Sequence, residues 1–165
     1  MPSRPLRLIS LSAGIVGTIL VAALTGCTPT VSMTAAENAA DPDCAAVSVR
    51  LPDTLDDQPL RETNAQATGA WGEPASVLLR CGVASPGPTT DRCISISGVD
   101  WVEDSTDAPV YRYTTYGRTP TTEVVIDSEK ASGTDVLTDL SGIVGLLPAD
   151  GACVGAADVE IPESE

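Results

Sequence analysis

The feature that most constrains the fold is an apolar run near the N-terminus that stops at a cysteine. Residues 1–7 carry two arginines and no acidic residue, and residues 8–24 form a 17-residue apolar stretch diluted by small polar residues. A membrane-spanning helix needs about 20 apolar residues, so this stretch is at the short limit. A basic start, an apolar middle and small residues before Cys27 are typical of a secretory signal peptide. The residues before Cys27 are therefore predicted to direct secretion and not to be part of the folded domain.

The run ends in Leu24-Thr25-Gly26-Cys27, which resembles the bacterial lipobox: an aliphatic residue, two small residues and a cysteine. The resemblance implies that the Cys27 thiol is joined to a diacylglycerol, that residues 1–26 are cut off, and that the new N-terminus is acylated. Two or more acyl chains give durable membrane attachment. The alternative is an uncleaved transmembrane anchor with a bystander cysteine. We expect an extracytoplasmic protein, held on the outer face of the cell membrane by lipid on Cys27.

The chain is therefore predicted to have four parts. Residues 1–26 are the lipoprotein signal peptide, and residues 27–40 are a lipidated, flexible tether, because they show no sustained period and few large apolar side chains. Residues 41–153 form one disulfide-stabilised α+β domain, and residues 154–165 are an acidic tail.

Charge narrows the classes of partner. Removing residues 1–26 leaves seven basic against 23 acidic residues, so the formal charge moves from −14 to −16. Nucleic acid is bound mainly by Lys and Arg, so it is not an expected partner. The acidic surface is either simply well solvated or binds cations or a basic partner. The chain has no His, the usual general base and the commonest metal ligand, and we expect no cofactor and no metal site.

Four cysteines remain once Cys27 is reserved for lipid: Cys44, Cys81, Cys93 and Cys153. An even set outside the cytoplasm predicts two disulfides, for which three pairings are possible. The chain contains no C-x-x-C pair, so neither a zinc site nor thiol catalysis is expected.

Sequence periodicity predicts a helix at each end of a run of strands. The first helix begins at an N-cap, Asp41, and stops at Pro52, while the second begins at Ser132 and carries an apolar stripe that ends at Pro148. Strands are predicted between them at residues 75–83, 93–97, 99–103, 110–116 and 122–127. Residues 53–70 are polar and predicted to be loop. We expect an α+β fold: a single antiparallel sheet of four or five strands with two helices packed on one face.

Four short segments together resemble a known family. They are residues 70–74 (AWGEP), 79–83 (LRCGV), 98–101 (GVDW) and 114–118 (TTYGR). In this order they are similar to an uncharacterised family of secreted or lipid-anchored actinobacterial proteins, catalogued as a domain of unknown function, number 3515. The resemblance covers roughly residues 42–148 and implies an envelope location without indicating an activity.

The same resemblance favours one pattern of disulfides. The family usually has cysteines at the positions of Cys44 and Cys81, whereas those of Cys93 and Cys153 are more variable. Two cysteines that come and go together are most simply bonded to each other. The resemblance therefore implies the pairs Cys44–Cys81 and Cys93–Cys153, and the rival is a bridge between Cys81 and Cys93.

Six residues make up the candidate binding surface: Trp71, Glu73, Arg80, Asp100, Trp101 and Arg118. The two tryptophans either fill the core or present an aromatic surface to a glycan or peptide. The two arginines either pair with the two carboxylates or build an anion site with loop amides.

No catalytic residue is assigned from the sequence. It lacks G-x-S-x-G, H-E-x-x-H and a phosphate-binding Gly-rich loop, and its acidic stretch after Asp100 does not match a calcium loop. The favoured function is a non-enzymatic, lipid-anchored module that binds another envelope protein or a cell-wall component. The alternative is a small wall-active hydrolase that uses carboxylates, of which Glu73 and Asp100 are the candidates.

Overall fold

A computed structural model describes residues 29–153. The predicted signal peptide, Cys27 and the predicted acidic tail lie outside the described residues. The elements are α1 (Pro42–Ser48), β1 (Thr54–Leu55), β2 (Gln58–Arg61), β3 (Thr68–Trp71), β4 (Val77–Val83), β5 (Arg92–Ile96), β6 (Val99–Asp104), β7 (Val110–Thr115), β8 (Thr121–Asp127) and α2 (Gly133–Val144). All strands join one antiparallel sheet in the order β1-β2-β3-β4-β8-β7-β6-β5.

Both helices begin at the residues that the sequence indicates. The Asp41 carboxylate accepts a hydrogen bond from the backbone N–H of Asp43, and Pro42 occupies the first helical position of α1. The Ser132 hydroxyl accepts from the N–H of Asp135 at the start of α2. Each cap satisfies one of the N–H groups that a helix leaves without a partner.

The prediction of a four- or five-stranded sheet with two helices packed on one face is wrong. The five predicted strands correspond to β4–β8, but residues 53–70, predicted as loop, contain β1, β2 and most of β3. These strands have two to four residues each. Because β3 pairs with β4, β2 with β3 and β1 with β2, pairing that proceeds outward from β4 determines them rather than local propensity. The helices also meet different strands: α1 contacts β4, whereas α2 contacts β1 and β5.

The contacts of α2 show that the sheet is strongly curved. Eight strands spaced as in ordinary sheets would put β1 and β5 about 34 Å apart if the sheet were flat. The 12 residues of α2 make a helix only about 18 Å long. Because α2 touches both ends of the strand order, the sheet must wrap around it.

The sheet has two chemically different faces. On the inner face, Leu79 lies opposite Val124 and Val77 opposite Ile126, and all four side chains are at most 1% exposed. The outer face carries the residues between them: Leu78 and Val125, which are only half-buried, and the charged residues Arg80, Arg112 and Glu123. The core cluster joins the inner face to apolar side chains of both helices.

Two disulfides staple the fold. Cys44 of α1 is bonded to Cys81 of β4 with a Cα–Cα distance of 5.5 Å, and both residues are fully buried. Cys93 of β5 is bonded to Cys153, with a Cα–Cα distance of 6.2 Å, and both are half-buried. The pairing is the one that the family resemblance implies, and the rival bridge between Cys81 and Cys93 is not formed.

Residues 29–40, here called the N-terminal strap, lie against the sheet although they belong to the segment predicted as a tether. The N–H of Val31 donates to the carbonyl of Glu62 at 2.8 Å, and the Val31 carbonyl accepts from the N–H of Asn64. The N–H of Met33 donates to the Asn64 side chain at 2.7 Å. The strap therefore continues the sheet past β2 before it crosses to α1.

A glycine in β4 receives the far end of the strap. Gly82 has a φ of +88° and sits at a register shift in the pairing of β4 with β8. Its carbonyl accepts from the N–H of Asn38 at 3.0 Å, and a Cβ at Gly82 would collide with the Asn38 backbone. Ala39 is then only 5% exposed, so the strap ends inside the core.

Candidate functional site

Both tryptophans of the predicted binding surface are core residues. Trp71 and Trp101 are 0% exposed. The indole N–H of Trp71 donates to the carbonyl of Pro52 at 2.9 Å, which holds the end of the α1 connection onto β3. Neither ring is available to stack on a glycan or a peptide, so the core-filling alternative describes them.

Arg118 is occupied by backbone carbonyls. Its guanidinium donates to Leu147 at 2.7 Å, to Gly98 at 3.0 Å and to Gly145 at 3.1 Å. The carbonyls at a helix C-terminus have no partners within the helix, and a basic side chain is suited to them. Arg118 therefore ties the end of α2 to the turn between β5 and β6.

The two carboxylates of the predicted surface do not face each other. Asp100 on β6 accepts the N–H of Cys153 at 2.8 Å and so fixes the last described residues. Glu73 lies in the turn after β3, where its carboxylate is 60% exposed and 3.7 Å from Arg61. Three strands, β4, β8 and β7, separate β3 from β6 along the sheet.

Arg80 is the one predicted surface residue that belongs to a cluster of converging charges. Its Nε and Nη2 donate to Glu123 Oε1 at 3.0 and 2.7 Å. Arg112 Nη1 donates to the other oxygen, Oε2, at 2.7 Å. The partner of Arg80 is thus Glu123 on β8, not Glu73 or Asp100, and Arg112 on β7 completes an Arg–Glu–Arg triad on the outer face.

The sequence analysis missed Glu123 and Arg112. Each interrupts a run of β-formers at a position that alternation assigns to the polar face, Arg112 in VYRYTTY and Glu123 in TEVVID. That alternation was the available signal. Alternation does not give the order of the strands. Thr121, the first residue of β8, follows Val83, the last residue of β4, by 38 positions in the chain, yet the two strands are adjacent in the sheet.

The triad carries one net positive charge. The Glu123 side chain is 9% exposed, whereas those of Arg80 and Arg112 are 34% and 40% exposed. The hydrogen bond to Glu123 raises the pKa of Arg112, although partial burial opposes the shift. Asp104, opposite Arg112 in the β6–β7 register, adds to that rise, and Arg112 lowers the pKa of Asp104 in return, after the hydrogen bonds from Thr106. Asp107 acts on Arg112 in the same sense as Asp104, so the positive charge of the triad that these two carboxylates leave free is at Arg80.

A cleft lies between the triad and the N-terminal strap. It has a volume of about 290 Å³ and is lined by Ser32, Met33, Thr34, Leu78, Arg80, Arg112, Glu123 and Val125. Within residues 29–153, Arg80 Nη1 and Arg112 Nη2 donate no hydrogen bond to the protein. Guanidinium groups with spare donors bind carboxylate and phosphate oxygens in pairs. The cleft is therefore suited to an anionic group.

Other surfaces are less suited to a ligand. A cleft of about 340 Å³ beside the Cys93–Cys153 bridge has Asp91 as its single charged lining residue. Among residues 29–153, no three His, Cys, Asp or Glu side chains come together in a way that would hold a metal ion. In the same range no helix is long and apolar enough to cross a membrane.

A curved antiparallel sheet stapled by two disulfides defines the class: a small disulfide-bonded α+β domain, of a kind typical of oxidising compartments outside the cytoplasm. The chain belongs to the family described as "Protein of unknown function (DUF3515)", which it matches over residues 9–151. The match confirms the family that the four short segments indicate. No curated protein and no solved structure matches the chain.

Proposed function

We propose that the protein is a lipid-anchored, non-enzymatic binding module on the outer face of the cell membrane, and that its cleft holds an anionic group of an envelope component. The lipobox ending at Cys27 supports the anchor. The two disulfides support an extracytoplasmic location. The binding role is carried by one observation, the Arg–Glu–Arg triad under the N-terminal strap.

The triad is hard to explain by stability alone. Replacing a buried ion cluster by apolar residues of similar volume is often neutral or stabilising, so such clusters contribute little net stability. The charges are also half-open to the cleft instead of sealed: one carboxylate is shared by two guanidiniums that are 34% and 40% exposed. An exposed pair of arginines in a chain with a formal charge of −14 is a local site for an anion on a surface that otherwise repels anions.

Binding is tested with acetate and inorganic phosphate as probes of the two anion chemistries. The side-chain Nε–H resonances of Arg80 and Arg112 are followed by NMR in the full-length protein. Arg92, whose side chain is 71% exposed on β5, is the matched control because it also pairs with a single carboxylate, that of Glu103. We expect saturable shifts at Arg80 and Arg112 with at least one probe. In Arg112→Gln, the affinity for that probe, followed at Arg80, should be weaker by about tenfold. Unchanged resonances, or equal shifts at Arg92, would refute the site.

The anchor is tested separately by metabolic labelling with a fatty-acid analogue. We expect label on the wild-type protein and none on Cys27→Ala. An unlabelled wild-type protein would refute lipidation, and so would label retained by the variant.

The hydrolase alternative gains no support from the described residues. A glycosidase needs two carboxyl groups about 5–10 Å apart on either side of the scissile bond. Glu73 and Asp100 are instead separated along the sheet by three strands, and Asp100 is engaged by the N–H of Cys153. We therefore advance only the binding function.

A further inference from the structure

The start of the strap is held on the sheet very close to the lipidation residue. Only Thr28 separates Cys27 from Pro29. Consecutive Cα atoms are 3.8 Å apart, so the Cα of Cys27 is within about 8 Å of the Cα of Pro29. A free segment from Cys27 to Asp41 would reach about 45 Å instead. The contacts of Pro29 therefore decide how far the domain stands from the membrane.

Arg61 clasps the start of the strap. Its Nη2 donates to the carbonyl of Pro29 at 2.8 Å and its Nη1 to the carbonyl of Gly72 at 2.7 Å. The Arg61 side chain is only 7% exposed, so this clasp is built into the fold. Two residues later in the chain, Val31 forms a parallel β-bridge with Thr63. The strap is therefore also paired with the segment that follows β2.

We propose that the folded domain rests directly on the membrane, with residues 58–63 facing the lipid headgroups. This inference rests on the proposed lipidation of Cys27. The acyl chains enter the bilayer at Cys27, and one intervening residue brings Pro29 and the clasping Arg61 to the headgroup layer. The surface beside them includes Leu60, which is 37% exposed, and the exposed Pro59.

The covalent link, not surface charge, sets this orientation. The shallow surface around Arg61 also carries Asp53 and Glu62, and Arg61 itself is turned inward to carbonyls. An anionic leaflet attracts basic segments and gives no attraction here. Because an anionic leaflet repels these carboxylates, the seating is expected to weaken as the content of anionic lipid rises and to recover as salt screens the repulsion. It also brings the cleft near the membrane, because Met33 on its wall is six residues from Cys27.

The orientation is tested by fluorescence quenching with the full lipidated chain in phosphatidylcholine vesicles that contain headgroup-nitroxide lipid. A fluorophore is attached at Leu60→Cys on β2, and the matched control is Ser105→Cys, an exposed site in the turn between β6 and β7, which lie five and four strands from β2 and so across the wrapped sheet. We expect quenching at Leu60 to be at least threefold stronger. Insertion of 14 Gly/Ser residues between Thr28 and Pro29 should remove the difference. If Leu60→Cys fails to fold, the exposed Glu62 takes its place.

Flotation of the same vesicles separates the two proposals. Protein that floats but shows equal quenching at both sites overturns the seating on the membrane and leaves the lipid anchor intact. Protein that does not float, while Cys27→Ala behaves identically, overturns the anchor and the seating together. Unequal quenching that persists after the Gly/Ser insertion would overturn the claim that the short covalent link sets the orientation, because a domain freed by the insertion would then still face the membrane through its own surface.

Discussion

The two faces of the sheet are built on different principles. The inner face excludes water, because its side chains Val77, Leu79, Val124 and Ile126 are almost completely buried. Burial of this apolar surface stabilises the inner face. The outer face is held by an ion cluster, by a half-buried disulfide and by the strap, which has no regular structure for most of its length. The difference indicates that the inner face provides most of the stability of the domain, and that substitutions on the outer face should cost less.

The disulfides give the largest contrast between the faces. Cys44 and Cys81 are fully buried, whereas Cys93 and Cys153 are half-buried beside a cleft. A reductant reaches the first bridge only when the domain unfolds, which happens in about one molecule in a thousand or fewer. We expect reduction of Cys93–Cys153 to be at least about a thousandfold faster under native conditions.

Differential alkylation followed by mass spectrometry measures both reduction rates. Repeating it in a denaturant is the control, because unfolding should bring the two rates together. Equal rates under native conditions would show that the two bridges are equally accessible and would break the comparison.

Two neighbouring leucines of β4 test the faces within one strand. Leu79 points inward and is 1% exposed, while Leu78 points outward and is half-buried. Truncating a buried leucine costs transfer energy and leaves a cavity, so Leu79→Ala should lower the free energy of unfolding by about 3 kcal/mol. Leu78→Ala should lower it by only about 1 kcal/mol, since its site is partly solvated. Chemical denaturation measures both, and similar losses would mean that the outer face is packed as tightly as the inner one.

Glu123 tests how much the outer cluster depends on its carboxylate. Glu123→Gln leaves Arg80 and Arg112 facing each other without a counter-charge, and we expect a loss of about 2 kcal/mol. Solvent reaches both arginines, which keeps the loss below that of a sealed pair. The control is Lys130→Gln, which removes an exposed pair with Asp127 and should leave the free energy of unfolding nearly unchanged, because exposed ion pairs contribute little. A loss at Glu123 no larger than the control would mean that the triad does not position its arginines.

Tyr113 is a buried ionisable residue of the inner face, and its ionisation gives the smallest expected effect on stability. Burial raises the pKa of Tyr113 to about 12, and the neighbouring Glu103 carboxylate adds to the shift. In the unfolded chain a tyrosine ionises near pH 10. Between about pH 10 and 12 the unfolded chain therefore loses the proton while the folded chain keeps it, so the free energy of unfolding falls as pH rises.

We expect this fall to be about 1–2 kcal/mol larger in the wild type than in Tyr113→Phe over that pH range. Urea denaturation at several pH values measures it. Parallel curves for the two proteins would show that Tyr113 ionises as freely as it would in water.

The sequence predicted the parts of the inner face that local rules control. Asp41 and Ser132 start the helices, and an apolar run together with alternating segments indicated five strands. The sequence did not predict β1–β3, because DTLDDQPLRETNAQATGA has weak strand propensity and its strands are added to the sheet one after another beyond β4. The curvature of the sheet, which follows from the α2 contacts, was equally beyond local rules.

The outer face was less predictable for the same reason. Arg80 could be chosen from its position in an apolar strand, but its partner Glu123 follows from strand order, a non-local property. The strap has no period at all, since its place depends on single contacts such as that of Asn38 with Gly82. Sequence reasoning therefore found the family and the two disulfides of this protein more readily than the Arg–Glu–Arg triad.

The most direct test of the account is hydrogen exchange of the strap in the full lipidated chain. The strap forms one wall of the cleft and, in the proposed seating, holds the domain at the membrane, so both proposals need the strap in place. We predict that the amides of Val31 and Asn38, which donate to Glu62 and Gly82, exchange at least about a hundredfold more slowly than an unstructured chain. Exchange of both amides at the unstructured rate would contradict the account, because residues 29–40 would then be a free tether.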